Sequence, residues 1–137
     1  MLIILKLNIV NWVAFKIIAL KRADVKIHCK TWLSKGDDSD IIGEGKFLLL
    51  KTIAEEKSIV AACKKLHISY RKAWGDIRKT EQMLGIVLVE KKRGGEKGGS
   101  SSLTEKGHEL LFLFQKIQLE MHQKTIELQR KVSEFLP

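Results

Sequence analysis

Apolar and polar positions change period several times along the chain, and each change marks an element. Over residues 25–33, Val25, Ile27, Cys29, Thr31 and Leu33 alternate with Lys26, His28, Lys30 and Trp32. A period of two is that of a half-buried strand. Lys35-Gly36-Asp37-Asp38 is a turn signal and Asp40-Ile41-Ile42-Gly43 a short return strand, so a hairpin is expected here. Gly45 then opens a segment in which the spacing lengthens to three and four. Phe47, Leu50, Ile53 and Ala54 share one side of a helix over 46–56, broken at Lys57-Ser58.

Two more helices follow closely. Ser58 is a good N-cap for a short helix with Ile59, Ala62, Cys63 and Leu66 as its apolar stripe. After a tight connection at His67-Ile68, Ser69 caps a third helix running to about Leu84, with Tyr70, Ala73, Trp74, Ile77 and Leu84 on one face. Gly85 takes the place of a C-terminal glycine. A strand is expected over 86–90, then a glycine-rich basic loop over 91–102 (KKRGGEKGGSSS), then Leu103. Thr104 caps a long final helix whose stripe holds Leu110, Phe114, Ile117, Met121, Leu128, Val132 and Phe135. The predicted order is hairpin, helix, helix-turn-helix, strand, loop, strand, long helix. That is a mainly α fold with small β parts: a winged helix-turn-helix with an added N-terminal β-hairpin and a long C-terminal helix.

Residues 1–20 (MLIILKLNIVNWVAFKIIAL) lie outside this pattern. They are apolar but broken by Lys6, Asn8, Asn11 and Lys16, and a lysine near the centre of a membrane span is costly. A secretory signal would carry a basic region before the apolar run and a small-residue cleavage site, and neither is evident. An apolar N-terminal extension over 1–22, or the product of an upstream start codon, is the preferred expectation. It is followed by a winged domain over 23–103 and the long helix over 104–137.

Composition narrows the function. With 45% hydrophobic and 30% charged residues over 137 positions, the chain has the make-up of one folded domain, without room for a two-domain enzyme. A single proline disfavours an all-β design. Two cysteines, Cys29 and Cys63, make no disulfide framework and suit a reducing, cytoplasmic setting. The formal net charge is +9, and it is localised: positions 46–97 carry 13 Lys and Arg against 6 Asp and Glu, seven of the nine net charges. A cationic excess gathered on one motif points to a polyanion.

The third helix shows where that polyanion would sit. With its aromatic side buried, Arg71, Lys72, Gly75, Asp76, Arg78 and Lys79 face outward. A helix-turn-helix lays such a face in the DNA major groove, its N-terminal residues nearest the base edges. Ser69, Arg71 and Lys72 are therefore expected contacts; Tyr70 can pack or reach out. Arg71 suits bidentate contact with guanine, whereas lysines suit phosphates. Lys91, Lys92, Arg93 and Lys97 sit among glycines, where little side-chain bulk would keep a basic loop from a phosphate backbone or a minor groove.

Other chemistry is weakly supported. Cys63 and His67 stand four apart and His28-Cys29 are adjacent, yet no repeated CxxC pair accompanies them, so no metal site is expected. The glycine-rich loop lacks the Gly-Lys-Ser/Thr ending of a phosphate-binding loop. No nucleophile–base set is evident, and Asp37, Asp38 and Asp40 suit a turn. Trp12, Trp32 and Trp74 are expected in the core or an interface. Neither an enzyme nor a cofactor is expected. Against duplex DNA as partner stand two alternatives: a protein-interaction adaptor on the same scaffold, and a regulator tethered to a membrane by residues 1–20.

The stretch 45–111 is more specific. Ser69-Tyr70-Arg71-Lys72-Ala73-Trp74, then Leu84-Gly85 and Leu88-Val89-Glu90, the paired glycines Gly94-Gly95 and Gly98-Gly99, and Leu103-Thr104-Glu105-Lys106-Gly107 resemble the N-terminal DNA-binding domain of molybdate-responsive, ModE-type transcriptional regulators. The last part is also similar to LysR-type regulators. The resemblance implies a homodimer formed largely through the last helix, with two recognition helices offered to a pseudo-palindromic operator. Leu110, Phe114, Ile117, Met121, Leu128, Val132 and Phe135 are the expected interface, since a small domain has little with which to cover Met121, Leu128, Val132 and Phe135; the alternative is a fold-back of the helix onto the N-terminal strands or residues 1–20. Members of the family carry C-terminal oxyanion-binding domains. Over residues 1–137 no counterpart is visible, so no small-molecule effector is expected to bind this chain.

Overall fold

The computed structural model describes residues 25–36, 39–92, 94 and 99–136. The expected extension over 1–22 and the wing residues Arg93 and Lys97 lie outside them. The chain forms two compact units, the larger being Lys30–Leu119 and the smaller Met1–Cys29 with Glu120–Pro137.

The larger unit begins with strands β1 (Leu33–Ser34) and β2 (Asp40–Ile42), paired antiparallel with Leu33 opposite Ile42. Helices α1 (Glu44–Glu56), α2 (Ile59–Leu66) and α3 (Tyr70–Leu84) follow. Strands β3 (Val89–Lys92) and β4 (Ser100–Leu103) form the wing, in register from Val89 opposite Leu103 to Lys92 opposite Ser100. The final helix, α4, runs Glu105–Phe135. This is a winged helix-turn-helix with a short extra hairpin.

Local chemistry explains the element ends. Ser58 Oγ accepts the Ala61 N–H at 3.2 Å, and Ser69 Oγ accepts that of Lys72 at 3.1 Å. Each satisfies one donor that a helix start leaves open. Thr104 Oγ1 does the same for Gly107 at 3.0 Å while donating to the Val87 carbonyl at 2.7 Å. Gly85 stops α3 at φ 68°, in the left-handed region that a residue without Cβ enters freely.

Three expectations need correction. The strand predicted over 25–33 is reduced to Leu33–Ser34, because β2 is only three residues long and offers a ladder to no more. In the smaller unit, a side chain replaces that ladder: Gln129 Oε1 accepts the Ile27 N–H at 2.7 Å and its Nε2 donates to the Val25 carbonyl at 2.8 Å. The strand predicted over 86–90 starts at Val89 and continues through Lys92, so Lys91 and Lys92 are strand residues and the loop is shorter than its composition suggested. Backbone pairing with Ser100–Leu103 extends the ladder through Lys92.

The third correction concerns Phe114, expected at a dimer interface. Its side chain is 0% exposed within the protomer, with its ring centroid 5.3 Å from that of Phe47. It belongs to the core with Ile42, Leu49, Leu50, Ile53, Ile59, Ile77, Leu88 and Leu103. Leu110 is also packed against this core. Gly107 allows α4 to lie close to the wing, since a Cβ there would run into the Leu88 carbonyl oxygen. Among the described residues no helix is long and apolar enough to cross a membrane.

Candidate nucleic-acid interface

The helix-turn-helix is built from α2, a three-residue turn and α3. Ala62 on α2 and Ala73 on α3 are both fully buried, small side chains that suit a close crossing of two helices. The turn closes through His67 at φ 55°, with the Ile68 N–H donating to the Cys63 carbonyl at 3.1 Å. Ala73 and Ile77 turn inward, so Arg71, Lys72, Arg78 and Lys79 are carried outward by the helical period, and all four are exposed.

These cations are held differently. Arg71 has no hydrogen bond or ion pair among the described residues, leaving its planar fork of donors open. Lys72 Nζ lies 2.9 Å from Asp76 Oδ2, one turn on. Such an exposed i,i+4 pair is worth only about 0.3–0.5 kcal/mol, weak enough to open against a phosphate. Arg78 stands 3.7 Å from Glu81 Oε2 and 5.1 Å from the Trp74 ring centre. Ser69 is exposed; its oxygen serves the cap while its hydroxyl hydrogen remains available.

Tyr70 was placed on the apolar stripe by spacing, but it is 41% exposed. Its hydroxyl accepts a hydrogen bond from Lys91 Nζ at 2.7 Å. Lys91 also lies 3.8 Å from the Trp74 ring centre. Lys92, the next residue of β3, is exposed and has no ion pair among the described residues. Between the wing and the starts of α2 and α3 runs an open groove lined by Ser58, Tyr70, Lys91, Lys92, Gly94 and Ser100. Tyr70, Lys91 and Lys92 thus line one groove, with Ser69 and Arg71 the sequence neighbours of Tyr70.

Three supporting residues escaped the sequence reading. Glu81, 8% exposed, accepts the N–H groups of Leu88 and Val89 on Oε1 at 2.9 and 3.1 Å, tying the wing's first strand to α3. The available signal was a carboxylate four residues after Ile77, on the buried face. Lys46 donates to the carbonyls of Asp40 and Ile41 at 3.1 and 3.0 Å. Burial pushes its ammonium below the ordinary lysine value, against the opposing pull of Asp76. With the Thr80 hydroxyl, 3.1 Å from the Ile41 carbonyl, it anchors the N-terminal hairpin beside α3.

The cysteines play a different part. Cys63 is buried, which pushes its thiol up, away from the thiolate that a metal or an electrophile needs; Cys29 is exposed. Among the described residues no three His, Cys, Asp or Glu side chains gather as a metal-binding group.

Residues 46–108 match the family described as bacterial regulatory helix-turn-helix protein, lysR family. Over 79 residues the chain is 37% identical to the DNA-binding transcriptional dual regulator ModE of Escherichia coli (strain K12), covering 58% of this chain and 30% of that protein. It is 27% identical over 100 residues to the molybdenum transport protein ModE of Azotobacter vinelandii, covering 71% of this chain and 37% of that one. A solved CbnR_DBD-DNA complex is similar at 27% identity and a TM-score of 0.49, over 65% of this chain and 95% of that chain. The chain spans about a third of the length of these curated relatives. Residues 46–108 are thus similar to the lysR family of bacterial regulatory helix-turn-helix proteins, and the chain is similar to the ModE regulators.

Proposed function

We propose that this protein is a transcriptional regulator that binds duplex DNA in the cytoplasm as a homodimer on a pseudo-palindromic operator and performs no chemistry. The observation that carries this reading is the outward face of α3, where Arg71 is exposed with its guanidinium unengaged among the described residues. An Arg at the start of a recognition helix reaches the O6 and N7 acceptors of guanine with two parallel donors. Lys72, Lys79 and Lys92 neutralise phosphates, and the Ser69 hydroxyl donates to one. Arg78 adds charge beside them. Arg93 and Lys97, by their place in the sequence, extend the basic set along the wing.

Selection of bound duplexes from a random pool, run at two salt concentrations, tests this directly. An inverted-repeat consensus is the expected outcome, with affinity falling steeply as salt rises. Arg71→Ala is expected to weaken operator binding by about 1–3 kcal/mol and to relax preference at one base position, whereas Lys92→Ala weakens specific and random duplexes alike. Equal losses on both for Arg71→Ala remove its assigned role. No DNA affinity even at low salt leaves the adaptor alternative.

A further inference from the structure

We propose that Lys91 is a positioning residue that clamps the base of the wing to the recognition helix, and is not a ligand of DNA phosphate. The proposal rests on the DNA-binding reading of α3 and the wing. Alternation along β3 puts Lys91 on the same side as Val89, which is buried, and Lys92 on the other. Ser101, opposite Lys91 in the ladder, is buried as well. The Lys91 side chain, itself exposed, therefore leaves the strand on the Val89 side and crosses to α3.

There its ammonium meets two partners one turn apart. It donates to the Tyr70 hydroxyl at 2.7 Å and stands 3.8 Å from the centre of the Trp74 ring. The indole face is the aromatic surface that attracts a cation best. A second tether lies earlier in the same segment, where Glu81 holds the N–H groups of Leu88 and Val89. Backbone and side chain thus fix β3 to α3 at two points, near the C-terminal and N-terminal ends of the helix. The clamp sets the distance between the helix in one groove and the wing beside it before DNA arrives, and Lys91 contributes no released counterion. Among the sequence-predicted contacts, the phosphate role passes to Lys92.

Salt dependence and Trp74 quenching test this together. The chain has three tryptophans, so Trp12→Phe with Trp32→Phe leaves Trp74 as the reporter. In that background Lys91→Ala is expected to steepen acrylamide quenching, because the ring loses its cover. Affinity for duplex DNA should fall roughly two- to fivefold, the loss of an exposed cation–π contact that pre-sets the wing. The slope of log affinity against log salt should stay at the parent value, while Lys92→Ala reduces it by about one. A slope reduced by about one in Lys91→Ala overturns the proposal, and so does unchanged quenching. If the parent protein binds no duplex even at low salt, the DNA-binding reading fails, and quenching alone decides whether the clamp exists.

Discussion

Gly75 lies mid-way along the exposed face of α3, one turn after Arg71 and one turn before Arg78 and Lys79. A glycine there weakens a helix by about 0.5–1 kcal/mol relative to alanine. Packing does not require it, since an added Cβ would meet nothing within 4 Å. Its missing side chain lets the helix backbone come close to whatever α3 faces, the same property that makes the face useful in a groove. Gly75→Ala is expected to raise the melting temperature by a few degrees and to weaken operator binding at the same time. Thermal melts paired with binding isotherms check both; a stabilised protein with full affinity removes the glycine from the interface. Gly107 is the opposite case, a glycine demanded by the fold through the Leu88 carbonyl.

At the scale of elements, one of the wing's two ties to α3 is a carboxylate. Removing the Glu81 side chain leaves the Leu88 and Val89 N–H groups without their partner in a buried place. Glu81→Ala is therefore expected to lower stability by about 2–3 kcal/mol in urea unfolding, and Glu81→Gln by less, because an amide oxygen can still accept. Equal losses for both would place the effect in charge rather than in hydrogen bonding. The elements themselves were largely legible: the caps at Ser58, Ser69, Thr104 and Gly85 are short-range chemistry that a sequence displays. The strand over 25–33 was not, because alternation records which side chains suit a strand and not whether a partner strand exists.

At the scale of the whole molecule, the proposed dimer depends on which residues of α4 remain uncovered. In the larger unit these are Phe112, at 71% exposure, with Leu113 and Leu119; Leu110 and Phe114 of the expected interface are turned to the protomer's own core. In the smaller unit Met121, Ile126, Leu128 and Phe135 are exposed, the last at 85%. Leu119→Glu is expected to shift sedimentation from dimer to monomer while helical content stays intact. Phe114→Ala should instead destabilise the protomer by about 3–5 kcal/mol, the range for a truncated core aromatic. A Leu119→Glu protein that still sediments as a dimer locates the interface elsewhere.

The order of elements, the helix-turn-helix, the face of α3 that carries Arg71, Lys72, Arg78 and Lys79, and the resemblance to ModE-type regulators can be read from residue types and their spacing. These follow from period, capping and charge, all encoded within a few residues of one another. Tertiary structure alone decided what each side chain meets. It turned Tyr70 outward to hold Lys91, buried Phe114 against Phe47, gave Glu81 the backbone of the wing, and left Gln129 in place of a strand partner. Such pairings join positions far apart in the chain, and a residue's type and local spacing do not specify the partner that packing brings to it.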